Sequence, residues 1–405
     1  MLTLAALSAL AACPRPRTAG DAGLPDAGDG VPAPCHVSPT ARTCTTPPAS
    51  LASDALQPGF LADVHNAVGL TGHLGRRVTF GDVDGNHYPD FISIETGVTP
   101  GLQHLFMNRP NPDGGPREFV ETTGESGILH SRSEDGGVQV ALMVAFADVD
   151  NDGDLDLFQG SYSQQPTGAK FVPQPNELYL NDGAGHFSLE RDSGLNLPWP
   201  LTPSAAAFLD YDKDGKLDLV IEASAYENSH AWVYHQLPDH GFENVTELSG
   251  EAANLVNSNG LTVDDFDRDG HLDILMGSVN ANGFNAPGGV EQLHLFRNQV
   301  ANGNHWLHLT LHGVTANRQA IGAKVRVTSG CLTQLREISG GKGTFGAADP
   351  AYAHFGLGKE TVVDTIEIEW PTQPPETQTL HDVAVDQFLE VTEGSDPLRC
   401  EPPSR

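Results

Sequence analysis

The chain has 405 residues and a formal charge of −31, from 53 acidic and 22 basic side chains. That balance excludes electrostatic binding to nucleic acid or to an anionic lipid surface, because both need clustered Lys and Arg. The 44 glycines and 29 prolines point to a turn-rich β protein and against a helical one.

Residues 1–13 form a short apolar run that ends in Leu10-Ala-Ala-Cys13. The run is too short for a membrane-spanning helix, which needs about 20 residues. Its small residues and terminal cysteine have the form of a bacterial lipoprotein signal, with Cys13 as the lipidated residue. No positively charged segment precedes it. An ordinary secretory signal or a start further upstream are the alternatives. Residues 14–50 are rich in Pro, Ala, Gly, Asp and Thr and almost free of bulky apolar side chains. Such a stretch cannot bury enough surface to offset its ordering entropy, so it reads as a disordered tether. With Cys13 lipidated, Cys35, Cys44, Cys331 and Cys400 remain, an even number that suggests two disulfides in an exported protein. Proximity in sequence favours Cys35–Cys44 and Cys331–Cys400 over the other pairings.

A repeat follows, over residues 51–300. Its core is one aspartate loop in four copies: Asp82-Val-Asp84-Gly-Asn86-His-Tyr-Pro-Asp90, Asp148-Val-Asp150-Asn-Asp152-Gly-Asp-Leu-Asp156, Asp210-Tyr-Asp212-Lys-Asp214-Gly-Lys-Leu-Asp218 and Asp265-Phe-Asp267-Arg-Asp269-Gly-His-Leu-Asp273. Each puts a carboxylate or amide oxygen at positions 1, 3, 5 and 9. Such packed like charges repel one another unless a cation lies among them, and calcium takes 6 to 8 hard oxygen ligands. Position 12 is Ser93, Gln159, Ile221 and Met276, so the bidentate glutamate of an EF-hand is missing. The flanks are apolar strands, and the position-9 carboxylate is the expected closing ligand. About four calcium ions are expected, with the first loop weakest because Asn86 carries no charge. Position 7, which is Asp154, Lys216 and His271 in the later copies, needs to offer only a backbone carbonyl.

The loops begin 66, 62 and 55 residues apart, a spacing that indicates arrays or propellers. A strand precedes each loop and another follows. A hairpin comes next, clearest at Asn181-Asp-Gly, and then a closing segment. That makes about four strands per unit, the content of a propeller blade. Phe60-Leu-Ala-Asp-Val-His-Asn-Ala-Val-Gly-Leu70 has the form of a closing segment without its front half, while the last unit lacks one. Either this fragment completes the last blade and closes a ring, or it is the remnant of a lost blade.

Other motifs carry less. Ser339-Gly-Gly-Lys-Gly-Thr344 lacks the first glycine of a phosphate loop and reads as a tight turn. His230, His235 and His240 fit no zinc spacing and read as surface or turn residues. Trp306 and Trp370 read as core of the last domain.

The loops and strands resemble the FG-GAP/VCBS repeat family, whose units form β-propeller blades with calcium loops. Asn304-His-Trp-Leu-His-Leu-Thr-Leu311, Asn317-Arg318-Gln-Ala-Ile-Gly322, His354-Phe-Gly-Leu-Gly358 and Ile366-Glu-Ile-Glu-Trp-Pro371 resemble the ASPIC/UnbV domain, placed at 301–395 with a tail at 396–405. The resemblance covers about residues 59–393. It implies an all-β fold, an FG-GAP-type β-propeller with four recognisable calcium-loop blades followed by a small ASPIC/UnbV β-domain. It also implies extracellular calcium binding and a binding or adhesion role. The expected partner is a protein or glycan at the cell surface, with no nucleic acid and membrane contact only through a lipid anchor. The location is then the bacterial cell envelope or the extracellular space. The rival is a propeller-scaffolded extracellular hydrolase or lyase acting on glycans, although no catalytic motif is present to name residues for it.

Mass spectrometry of the protein from its native host tests the first of these expectations. A diacylglyceryl adduct on Cys13 is expected, and a lipid-free mature N-terminus elsewhere contradicts it.

Overall fold

A computed structural model describes residues 62–95, 103–130, 141–161, 176–195, 202–224, 231–250, 258–279, 291–339 and 351–400. The signal segment, the tether, Cys13, Cys35, Cys44, the side chain of Cys400 and residues 340–344 lie outside the described part. The architecture is all-β, as the sequence implies.

Three four-stranded antiparallel sheets and one three-stranded sheet follow in chain order. The first blade is β1 (Arg77–Gly81), β2 (Asp90–Ile94), β3 (Gln103–Arg109) and β4 (Glu118–Glu121), with one helical turn, α1 (Thr123–Ser126), after it. The second is β5 (Ala141–Ala147), β6 (Asp156–Ser161), β7 (Glu177–Asn181) and β8 (Phe187–Glu190). The third is β9 (Thr202–Leu209), β10 (Asp218–Ser224), β11 (Ala231–Gln236) and β12 (Phe242–Asn244). The fourth has β13 (Ser258–Asp264), β14 (Asp273–Val279) and β15 (Glu291–Phe296). Each aspartate loop joins the first strand of a blade to the second, and its last Asp opens the second strand.

Both faces of a middle blade are apolar because each meets a neighbour. Val83, Ile92, Leu105 and Met107 pack against Val144, Leu157 and Tyr179 between blades one and two. Phe158 and Leu178 pack against Leu219, Ile221 and Tyr234 between blades two and three. Val220 and Val233 pack against Leu261 and Met276 between blades three and four. This explains why β5 (Ala-Leu-Met-Val-Ala-Phe-Ala) is an unbroken apolar run and not an alternating one.

A polar bridge crosses every blade junction. Asn181 Nδ2, from the end of β7, donates to Val83 O in the first loop at 2.8 Å and to Leu155 O in its own loop at 3.1 Å. Gln236 Nε2 donates to Val149 O at 2.9 Å, and Asn298 Nδ2 to Tyr211 O at 2.7 Å. Each bridge satisfies a loop carbonyl that the fold removes from water.

The N-terminal segment lies on the first blade. Phe119 N donates to Val68 O at 2.8 Å, just as Phe242 N donates to Ser193 O at 2.8 Å where blade two closes against blade three. Residues 62–70 thus occupy the place of a preceding blade's closing turn, a position that both alternatives give them. They make no strand pairing with β15 among the described residues. The outward face of blade four shows Leu293, Leu295, Leu275 and Phe266 to solvent.

The C-terminal domain is two four-stranded sheets around one core. One runs β19 (Ala353–Gly358), β16 (His305–His312), β22 (Gln387–Thr392), β23 (Leu398–Cys400). The other runs β18 (Leu332–Glu337), β17 (Lys324–Ser329), β20 (Val362–Trp370), β21 (Glu376–Ala384). Leu307, Leu309 and Leu311, at the two-residue spacing of a strand face, meet Val325, Val327, Ile366, Ile368 and Trp370. Trp306 is buried as expected, in a small hydrophobic cluster apart from this core. It packs with Phe388 and stacks on His354 beside Gly270 of the fourth loop. Cys331 is disulfide-bonded.

Asn181→Ala leaves the carbonyls of Val83 and Leu155 without this donor. It is expected to lower unfolding free energy by about 1–3 kcal/mol, read as a lower urea midpoint at unchanged m-value. A midpoint equal to wild type contradicts the bridging role.

Candidate metal centres

The four loops share one hydrogen-bond plan. The position-1 carboxylate folds back on the turn. Asp210 Oδ1 and Oδ2 accept from the N–H groups of Asp214 and Gly215 at 3.1 and 2.8 Å, and Asp265 accepts from Asp269 and Gly270 at 3.0 and 2.9 Å. The position-9 carboxylate is a staple. Its Oδ2 accepts from the position-2 N–H: Val83 to Asp90, Val149 to Asp156, Tyr211 to Asp218 and Phe266 to Asp273, at 2.8–3.3 Å. Its Oδ1 accepts from the third strand or, in the fourth blade, from two residues beyond it: Asn108, Asn181, Gln236 and Asn298, at 2.7–2.9 Å. The closing aspartate, expected only as a metal ligand, therefore also ties its loop to the rest of its blade.

The remaining lone pairs converge. Asp82, Asp84 and Asp90 each bring an oxygen within 4.8 Å of the others, as do Asp148, Asp150 and Asp156, and Asp265, Asp267 and Asp269. The third loop forms two such groups, Asp210 with Asp212 and Asp214, and Asp212 with Asp218 and His235. Asp152 and Asp273 fall outside these tight groups, and Asn86 offers an amide in place of a carboxylate. His235, read from sequence as a turn residue, points its Nδ1 at Asp218 Oδ1 3.0 Å away. It comes from the third strand, where no spacing rule relates it to the loop.

Crowding is legible in the titration of these groups. Burial, opposed by the two backbone N–H donors, pushes Asp90 up to about 7 and Asp156 up to about 8. Burial and the neighbouring carboxylates raise Asp154 to about 7 and hold Asp210 well above the ordinary range. Asp154 Oδ1 is buried with no hydrogen-bond partner. Apart from His235 in the third loop the donors are oxygens, and an oxygen-rich set, a like-charge cluster and an orphaned carboxylate oxygen fit a hard divalent cation, and calcium best, since its flexible coordination tolerates an irregular loop.

The C-terminal domain covers this face. Lys324 Nζ lies 2.6 Å from Asp82 Oδ2. Leu335 N donates to Asp148 Oδ2 at 3.1 Å. Gly356 lies against Asp210 and Lys213, where a β-carbon would collide, and Gly358 N donates to Lys213 O at 2.9 Å. Tyr352 OH accepts from Asp265 N at 3.2 Å and donates to Asp264 Oδ1 at 2.7 Å. A cavity of about 220 Å³ between the first two loops and this domain is lined by Asp82, His87, Asp152, Asp154, Lys324 and Arg326. Arg109 pairs with Asp84, Lys216 with Asp214, and Arg297 with Asp267 and Asp269. Among the described residues no Lys or Arg pairs with a carboxylate of the second loop.

Residues 148–221, which span the second and third loops, match the FG-GAP-like repeat, and residues 313–397 match the ASPIC and UnbV domain. The chain carries an FG-GAP-like repeat region and an ASPIC/UnbV domain. It is similar to cartilage acidic protein 1 of Mus musculus and of Homo sapiens, at 28% identity over 372 residues in each case. That alignment covers 86% of this chain and 51% and 50% of those proteins. The Xenopus tropicalis protein of the same name is 26% identical over 344 residues. The chain spans about half the length of the curated relatives it matches. The repeat match falls on the second and third loops, whose aspartates are raised by burial and by one another.

The raised position-9 aspartates give a signed pH dependence. Their pKa in the folded, calcium-free chain lies above the unfolded value of 3.8, at about 7 for Asp90 and about 8 for Asp156. Their stabilising contribution is complete below the unfolded value and is lost as pH rises through the folded values. In calcium-free buffer the melting temperature is expected to fall between about pH 5 and pH 8. Saturating calcium should flatten or reverse that slope. A calcium-free melting temperature that rises over this interval contradicts the assignment.

Proposed function

We infer that this chain is a calcium-binding, exported surface protein, with β-propeller-like blades that serve binding or adhesion. One observation carries the reading: the same loop, in four copies, gathers three carboxylates within 4.8 Å of one another, on the face where the C-terminal domain docks. An ion there does two things. It relieves repulsion within each loop, and it fixes the surface on which Lys324, Leu335, Tyr352 and Gly356 rest. The calcium is thus structural, and it stiffens the joint between blades and C-terminal domain. The acidic surface and the apolar signal ending at Cys13 support a location outside the cytoplasm, held at the membrane by lipid alone. A protein or glycan at the cell surface is the partner class we assign to the blades. The relatives are named for cartilage, an extracellular tissue, which agrees with an extracellular role.

A ligand that binds only the folded state stabilises it by about 2.7 kcal/mol per site at a hundredfold excess over Kd. Chelation should therefore lower the melting temperature sharply. Millimolar calcium should restore it, and magnesium should not, because magnesium demands a tighter octahedron. Asp212→Ala with Asp214→Ala should remove one ion and part of the shift. Identical melting with chelator and with calcium at neutral pH would show that the loops are turns only.

A further inference from the structure

The first loop departs from the other three at several independent points. Its glycine is at position 4, so His87 stands at position 6 with φ 68°, where the other loops place Gly153, Gly215 and Gly270. A left-handed backbone disfavours a side chain there, and His87 is held by a contact of its Nδ1 with Glu369 Oε1 of the C-terminal domain at 2.5 Å. Asn86 at position 5 turns its amide donor, not its oxygen, to the carboxylates. Its Nδ2 donates to Asp84 Oδ2 at 2.9 Å, while its Oδ1 accepts from the Tyr88 N–H at 2.8 Å. Two full cations then reach the same carboxylates. Lys324 Nζ meets Asp82 Oδ2, with the two side chains only 6% and 7% exposed, and Arg109 meets Asp84 Oδ2. As in the other three loops, both oxygens of the closing aspartate, here Asp90, accept backbone N–H groups.

No other loop is filled in this way. The second has no Lys or Arg ion pair among the described residues. The third has Lys216 on Asp214, two residues away and within the loop itself. The fourth has Arg297 on Asp267 and Asp269, a side chain as exposed as Arg109, and among the described residues the first loop alone adds a buried lysine from the C-terminal domain. Lys324 cannot leave without separating the domains. It opens β17, paired in register with Glu337 on one side and Glu369 on the other. Removing its partner would strand a buried charge.

We propose that Lys324 is the resident cation of the first loop: its ammonium, seconded by Arg109, stands where the other loops take a metal ion. The first loop is then closed by the C-terminal domain and not by calcium. The chain takes three ions in place of the four that its sequence suggests. Lys324 is a positioning residue in this role, a latch that holds the two domains in register when calcium is withdrawn. The ion count rests on the calcium reading given above, whereas the latch does not.

Two measurements on the full chain test this. The first is calcium stoichiometry by native mass spectrometry and elemental analysis. Wild type should hold three ions. Asp84→Ala, in the first loop, should still hold three, and Asp150→Ala, in the second, should hold two. Loss of an ion in Asp84→Ala overturns the proposal. An unchanged count in Asp150→Ala overturns the calcium reading instead. The second is a double-mutant cycle between Lys324→Met and Asp82→Asn, read as melting temperature in calcium-free buffer. Each single variant should melt lower than wild type, and the double variant less low than the sum of the two shifts. Additive shifts overturn the latch whether or not any loop binds calcium. Lys324→Arg, which keeps the charge, should retain most of the wild-type melting temperature and guards against a general folding defect.

Discussion

A buried carboxylate at the head of each blade's second strand organises this molecule. Asp90, Asp156, Asp218 and Asp273 are almost wholly enclosed. Each spends one oxygen on the loop behind it and one on the N–H group at the end of the third strand. Loop geometry, strand register and blade packing are thereby set by the same side chain. The amide next to that N–H then reaches across to the neighbouring blade, at Asn181, Gln236 and Asn298. A blade cannot shift against its neighbour without breaking a buried hydrogen bond, and buried polar groups left unpaired are costly.

Placing these carboxylates so close has an electrostatic consequence that the structure meets in different ways. Backbone N–H groups neutralise part of the charge, and burial holds several aspartates half-protonated near neutral pH. Local basic side chains cover the third and fourth loops from solvent. The second loop has no Lys or Arg ion pair among the described residues, and its cationic neighbour is the Arg336 guanidinium, which favours the charged form of Asp148. Its Asp154 keeps an oxygen without a partner, so it is the loop most in need of a metal. The first loop solves the same problem through a domain boundary, with a lysine 242 residues away in sequence. One motif thus occurs in grades, from metal-demanding to internally neutralised.

Much of this was legible in the sequence. Ligand spacing within nine residues is a local property, and so are the strand–loop–strand–hairpin order and the all-β class. The parts that were not legible depend on distance in the chain. Arg109 and Arg297 sit beside the hairpin asparagines Asn108 and Asn298, with nothing in their spacing to tie them to a loop. Lys324 looked like any strand residue, and Trp306 like core, because a domain interface has no sequence periodicity of its own. His235 was read as a surface residue for the same reason. The extra duty of the closing aspartate was missed because the backbone N–H groups it binds leave no mark in a sequence. The hydrogen bond from Phe119 to Val68 places the fragment at 62–70 against the first blade, where the closing turn of a preceding blade belongs under either packing.

The placement of the C-terminal domain follows from the open ends of the array. Three blades complete their sheets, and the fourth stops at β15 with Leu293 and Leu295 uncovered. Among the described residues no strand of the fourth blade pairs with the first. The C-terminal domain supplies the restraint that closure would give, since it contacts the first loop through Lys324 and Glu369, the second through Leu335, the third through Gly356 and the fourth through Tyr352 and Trp306. It has its own closed core of nineteen buried residues, so it is a rigid plate. A rigid plate that touches four successive loops fixes the angle between blades, as ring closure does in a complete propeller. Any cation that tightens a loop against this plate then tightens the whole array.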